Sequence, residues 1–191
     1  LADFVAHCLT DTLRKQDRAL LVVSGGSTPG PFFDALSRKD IPWGQVVITL
    51  ADERWVSPNH PDSNERLVRQ RLLQGPAAEA IWMPFWREEM NTHEALHHVC
   101  GELDALPWPA SVVILGVGSD GHTASLFPHD ASWVESGPDP DRCLAIPAPM
   151  PPNVPVSRLS LSPTCLMDAE QVVIHLTGEA KWAVLQHAEQ E

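Results

Sequence analysis

Four short apolar runs set the plan of this chain: Ala19–Val23, Val46–Leu50, the stretch opening with Val112-Val113-Ile114-Leu115, and Val172–Leu176. A strand with one solvated face alternates apolar and polar residues, whereas an unbroken apolar run reads as a strand covered on both faces. Segments with helical spacing lie between the runs, beginning with Leu1, Val5, Leu9 and Leu13. Strands alternating with helices predict a parallel sheet with helices on both sides. The expected fold class is therefore α/β: a three-layer α/β/α sandwich on a mainly parallel, modified Rossmann-like sheet.

The weaker signals fill in the plan. Pro31–Leu36 reads as a helix with a proline in its first turn. Asp62 and Glu65 have capping-box spacing ahead of an amphipathic Arg66–Leu73, and Asn91 with Glu94 opens a helix that runs to Leu106. Ile81–Phe85, Cys143–Ile146 and Arg158–Leu161 are shorter strand candidates, the second of them set within long loops between Pro128 and Pro155. Thr177 caps a last helix carrying Lys181. No repeat or interdomain linker interrupts the 191 residues, so a single domain over 1–191 is expected.

Thirteen basic against 25 acidic residues leave a net charge of -12. That argues against nucleic acid or an anionic membrane as the main partner, but not against a small anion bound at a locally positive site. Nothing approaches the ~20 apolar residues of a membrane span. Cys8, Cys100, Cys143 and Cys165 are scattered without C-x-x-C spacing, and are expected to be free thiols of a cytoplasmic protein.

Ligands of open α/β sheets bind beyond the carboxyl ends of the strands. Four polar segments leave such ends here: Ser24-Gly25-Gly26-Ser27-Thr28, Asp52-Glu53-Arg54, Gly116 to His122, and Thr177 to Lys181. Each has an ordinary reading when taken alone. The first is a tight strand–helix turn or an anion cradle with free N–H groups and two hydroxyls. The second is a solvated charged loop or part of a site, and Trp55 beside it is a candidate pocket wall. The third matches G-x-G-x-x-G, yet Asp120 stands where a pyrophosphate would approach, so a dinucleotide is set aside. It also places a carboxylate two residues before an imidazole, the side chain best suited to general-base work near neutral pH. Lys181 lies in a first helical turn, where a cation opposes the helix dipole, and reads as a ligand contact or a surface lysine. Arg158, opening a strand, is similarly open. His93, His97 and His98 follow a helix face and are read as solvated, with no metal expected. What favours a site is the convergence of four strand ends on one edge of the sheet.

In order and in context, four segments resemble the 6-phosphogluconolactonases: Leu21 to Pro29, Asp52-Glu53-Arg54-Trp55-Val56, Gly116 to Pro128 with its Asp120-Gly121-His122-Thr123-Ala124-Ser125-Leu126-Phe127-Pro128, and Leu176-Thr177-Gly178-Glu179-Ala180-Lys181. The resemblance covers nearly the whole chain and implies that a first strand precedes Leu1 and a last one follows Glu191. The related glucosamine-6-phosphate deaminases look similar at the glycine loop and at Asp120-Gly121-His122, but carry tyrosine where this chain has Arg54 and a catalytic glutamate where it has Phe127. Those departures favour the lactonases.

The resemblance implies hydrolysis of 6-phospho-D-glucono-1,5-lactone in the oxidative pentose phosphate pathway. His122 is expected to activate water and Asp120 to orient it. Asp52 is expected to bind a hydroxyl or position Arg54, and Arg54 or glycine-turn N–H groups, Gly118 among them, to receive the oxyanion. Gly25, Gly26, Ser27, Thr28, Arg54, Arg158 and Lys181 are expected around the phosphate. No metal or organic cofactor is expected, a lactone being already an activated ester. The implied partner is the small sugar-phosphate lactone alone, bound by a monomer in the cytoplasm. An amino-sugar-phosphate isomerase/deaminase and a non-catalytic sugar-phosphate-binding protein are the alternatives.

Overall fold

The computed structural model describes residues 1–128, 142–148 and 155–188. Most of the loop expected between Pro128 and Pro155 lies outside the described residues. β1 (Ala19–Val23), β2 (Val46–Leu50), β4 (Ile81–Trp82), β5 (Val112–Leu115) and β8 (Val172–Ile174) form a five-stranded parallel sheet in the order β4-β2-β1-β5-β8. Every residue of β1, β2 and β5 is buried, as their unbroken apolar sequences require. β4 is shorter than the expected 81–85 run, which after Trp82 leaves the sheet through Pro84.

A second sheet was not foreseen. β3 (Asp52–Arg54), β7 (Arg158–Leu161) and β6 (Cys143–Ile146) pair antiparallel in the order β3-β7-β6. Only Ala51 separates β2 from β3, so the chain steps directly from one sheet into the other. The charged triplet that reads as a loop is thus a strand, with Asp52 and Glu53 only 5% and 1% exposed.

The helices are α1 (Ala2–Leu13), α2 (Gly30–Leu36), α3 (Asn64–Arg71), α4 (Thr92–Asp104), α5 (Pro163–Met167) and α6 (Glu179–Ala188). They flank the central sheet in the three-layer α/β/α arrangement. α1 packs on α2 and β1, and α4 packs on β6 and β7. Val5, Leu9, Phe33 and Leu36 are fully buried in the shared core with the strands. Asn91 and Glu94 form the expected capping box on α4.

Two expectations need correction. α3 is capped by Ser63, whose hydroxyl accepts from the Arg66 N–H, and not by the Asp62–Glu65 box. The reason is Glu53: its buried carboxylate accepts from the N–H groups of Asn64 (2.9 Å) and Glu65 (2.7 Å) and from the Ser63 hydroxyl (3.0 Å), so the helix start is held from β3. The cysteines are not all free. Cys100 on α4 and Cys143 on β6 form a disulfide, with Cα atoms 5.8 Å apart, while Cys8 and Cys165 remain thiols. Sequence spacing does not reveal that α4 lies on β6. Among the described residues, no helix is long and apolar enough to cross a membrane.

Candidate active site

β1, β2 and β4 follow one another toward one edge of the sheet, whereas β5 and β8 build toward the other. The order therefore reverses between β1 and β5, the position at which open α/β sheets leave a crevice beyond their strand ends. An open cavity of about 380 Å³ lies there. It is lined by parts of all four polar segments: the glycine loop Ser24 to Thr28, Asp52 and Arg54, Gly116 to Ser119 with His122, and Lys181. Arg158 joins them from the second sheet.

The dyad after β5 is formed. His122 Nδ1 lies 2.5 Å from Asp120 Oδ1, leaving Nε2 as the nitrogen available to take a proton. Burial pushes the Asp120 carboxyl up, but the hydrogen bond and charge of His122 outweigh it and hold Asp120 below its usual value. The turn is closed by the Gly118 N–H to the His122 carbonyl (2.8 Å) and by the Thr123 hydroxyl to the Gly116 carbonyl (2.9 Å). A Cβ on Gly118 would run into both the His122 ring and the Asp120 carboxylate, so the dyad can fold over the backbone only at a glycine. Gly121 takes φ +86° in the same turn. The other face of the His122 ring environment is Phe127, with ring centroids 4.9 Å apart.

Among the described residues no hydrogen bond or ion pair joins Asp52 to Arg54, although both line the cavity. The Asp52 carboxylate accepts from the Ser125 hydroxyl (2.5 Å) and from the Asn64 amide (3.4 Å), and lies 3.7 Å from Arg158. Arg54 instead donates to the Asp62 carbonyl at 2.8 Å. Burial pulls the Arg158 guanidinium below its usual value, against the opposing pull of Asp52. Across the cavity the glycine loop turns at Gly26, with φ +89°. A Cβ on Gly25 would overlap the Asn64 side chain. Trp55 packs at a tilt of 44° against Trp86, centroids 5.0 Å apart, and donates to the Met90 carbonyl; it is not among the residues that line the cavity.

Three participants escaped the sequence reading: Asn64, Ser125 and His175. His175 closes the apolar β8 run and lines the cavity, packed edge-on against Phe32 at 5.6 Å. Burial lowers its pKa, and the Lys181 charge adds to this. A polar residue at the carboxyl end of an apolar run was the available signal. Asn64 and Ser125 had none, because each acts through residues distant in sequence. Among the described residues no cluster of His, Cys, Asp and Glu could hold a metal, and His93, His97 and His98 lie on an exposed stretch of α4.

The family profile of glucosamine-6-phosphate isomerases/6-phosphogluconolactonases matches residues 1–191. The chain belongs to this family. A 6-phosphogluconolactonase of Pseudomonas aeruginosa is 41% identical over 191 residues, spanning 98% of this chain and 79% of that protein. The crystal structure of a 6-phosphogluconolactonase from Shewanella baltica superposes with a TM-score of 0.91 at 38% identity, covering 98% of this chain and 79% of that one. A monomeric glucosamine-6-phosphate deaminase shares the fold, with a TM-score of 0.76 at 15% identity over 99% of this chain and 83% of that one. Within the isomerase/lactonase family, this member carries Arg54 and the buried Phe127 at the positions on which the sequence comparison turned.

Proposed function

We propose that this chain hydrolyses 6-phospho-D-glucono-1,5-lactone to 6-phospho-D-gluconate, a step of the oxidative pentose phosphate pathway. The observation that carries the mechanism is the His122–Asp120 dyad, at 2.5 Å, opening on the same cavity as Lys181 and the glycine loop. His122 Nε2 takes a proton from water as the water oxygen bonds to C1. The carbonyl electron pair moves onto its oxygen, and the oxyanion requires preorganised donors. Collapse of the tetrahedral adduct breaks the C1–ring oxygen bond, and His122 returns the proton to the departing ring oxygen. The new carboxylic acid then ionises. Asp120 holds the imidazole. The phosphate lies among Gly25, Gly26, Ser27, Thr28 and Lys181, with Arg54 and Arg158 adding positive charge to the cavity. The proposed enzyme acts as a monomer on this small substrate, and the Cys100–Cys143 disulfide removes the free-thiol ground on which a cytoplasmic location was expected.

The test is lactone disappearance above its spontaneous rate with purified protein. Wild type exceeds that rate, and His122→Asn loses about 10²–10⁴-fold in kcat, the usual worth of a general base. 6-Phosphogluconate binding stays near wild type in the variant. A wild-type rate equal to the spontaneous one would overturn the proposal.

A further inference from the structure

His175 closes an apolar strand with a polar ring whose nitrogens have no partner among the described residues. Its backbone N–H donates to the Leu115 carbonyl at 2.7 Å, one step beyond the Leu115–Ile174 pair of β5 and β8. The residue therefore leaves the sheet level with Gly116, where the turn that carries the dyad begins. Its side chain is half-buried, lines the cavity and rests edge-on against Phe32 in the first turn of α2, the helix into which the glycine loop passes. An edge contact fixes the ring plane without engaging either nitrogen. Polar groups inside a folded protein are ordinarily paired, so an imidazole that is held yet unpaired at a cavity wall is placed for a ligand.

The charges that act on the ring are of one sign. Lys181 on α6 lines the same cavity and acts on His175, as does the Leu1 amino group ahead of α1, while no carboxylate of the described residues does. Lys181 has no ion-pair partner among the described residues either. The carboxylates of Asp52, Glu53 and Asp120 act instead on Arg158. Burial and the two cations lower the His175 pKa, so the free ring is mostly neutral near pH 7 and donates one N–H. A phosphate dianion arriving beside it favours the charged imidazolium, which draws a second proton onto the ring.

We propose that His175 is a titratable donor to the substrate phosphate, set beside Lys181, and thereby selects the phosphorylated lactone over the plain one. This rests on the hydrolase reading above for its substrate, but the contact can be tested by binding alone. The probe is glucitol 6-phosphate, which has the phosphate and no charge at C1 to engage His122. His175→Phe keeps a ring against Phe32 and removes the donor, so it should melt near wild type. At pH 6 it should bind glucitol 6-phosphate about tenfold more weakly, the lower range for a hydrogen bond to a charged group. In turnover it should raise KM for the phosphorylated lactone by a similar factor and leave kcat, and kcat/KM on gluconolactone, within about twofold. His175→Gln keeps a neutral donor that cannot gain the charge. Its Kd should lie within about threefold of wild type at pH 8 and fall behind by about tenfold at pH 6, where the wild-type ring is protonated on the phosphate. The ionisations of the ligand and of His122 enter wild type and variant alike and cancel in the ratio. Should His175→Phe fail to fold, the pH dependence of the His175→Gln ratio decides the matter. Unchanged binding by folded His175→Phe at pH 6, a His175→Gln ratio flat between pH 6 and 8, or an equal loss on gluconolactone would overturn the inference. So would a wild type that does not bind glucitol 6-phosphate. If wild type binds it but turns over neither lactone, the hydrolase reading falls, and the binding ratios still decide the role of His175.

Discussion

Adding one methyl group at Gly118 should silence the enzyme without unfolding it. The backbone there is not in the left-handed region, so alanine brings no conformational strain of its own. What the new Cβ meets is the His122 ring and the Asp120 carboxylate. Both side chains are partly exposed, at 30% and 26%, so they can swing outward and the fold is little penalised. The dyad, however, moves by about an ångström or more, and a displacement of that size costs on the order of 10²-fold in rate. Gly116→Ala is the matched control: it lies in the same turn, also outside the left-handed region, with nothing within 4 Å of its Cβ. The expected result is a kcat at least about 10²-fold down in Gly118→Ala, near wild type in Gly116→Ala, and melting temperatures within a few degrees of wild type for both. Lactone opening is followed by proton release, corrected for the spontaneous rate. A Gly118→Ala enzyme with wild-type kcat, or equal losses in the two variants, would refute the placement of the dyad.

Lys181→Ala should raise KM for the phosphorylated lactone by one to two decades, the worth of a charge-assisted contact at about 1.5–3 kcal/mol, with little change on gluconolactone; equal losses on both would remove Lys181 from the phosphate. Burial pushes Glu53 from 4.5 up to about 7 despite its hydrogen bonds to Glu65, Asn64 and Ser63. A raised acid pKa means the folded protein holds this proton more tightly than the unfolded chain. Its stabilising contribution, up to about 3 kcal/mol, is full below pH 4.5 and is lost as pH rises through 7. Tm should therefore fall more steeply between pH 4.5 and 7.5 in wild type than in Glu53→Gln, and parallel curves would contradict the shift. Finally, glucosamine 6-phosphate should bind weakly and competitively and release no ammonia, since Phe127 offers no carboxylate; ammonia above a His122→Ala control would reopen the choice of activity.

The central sheet was legible because β1, β2, β5 and β8 announce themselves as unbroken apolar runs, the pattern of covered parallel strands, although β8 lies at the sheet edge and is covered only in part, with Ile174 48% exposed. The dyad was legible too, since Asp120 and His122 lie two residues apart and meet through local geometry. What stayed hidden depends on pairing across long separations. Asp52-Glu53-Arg54 becomes a strand only because Arg158–Leu161 lies beside it, and neither segment signals the other. The same distance concealed Ser125 against Asp52 and Cys100 against Cys143. The Asp62–Glu65 cap failed because a carboxylate from another element, Glu53, reaches the helix start first.

The direct step from β2 into β3 has a consequence for when this protein becomes active. β1, β2 and β4 span residues 19–82 and can pair as soon as that length of chain exists. β3 must wait for Ser160, Leu159 and Arg158, more than a hundred residues later. Closing so long a loop is slow relative to local pairing, because its entropy is lost before the contacts compensate. During synthesis the β4-β2-β1 part of the hydrophobic sheet can assemble early, while the wall that carries Asp52 and Arg158 joins much later. Appearance of catalytic activity should thus lag behind burial of Trp43 in the core in a refolding experiment, making turnover a reporter of the final closure rather than of collapse.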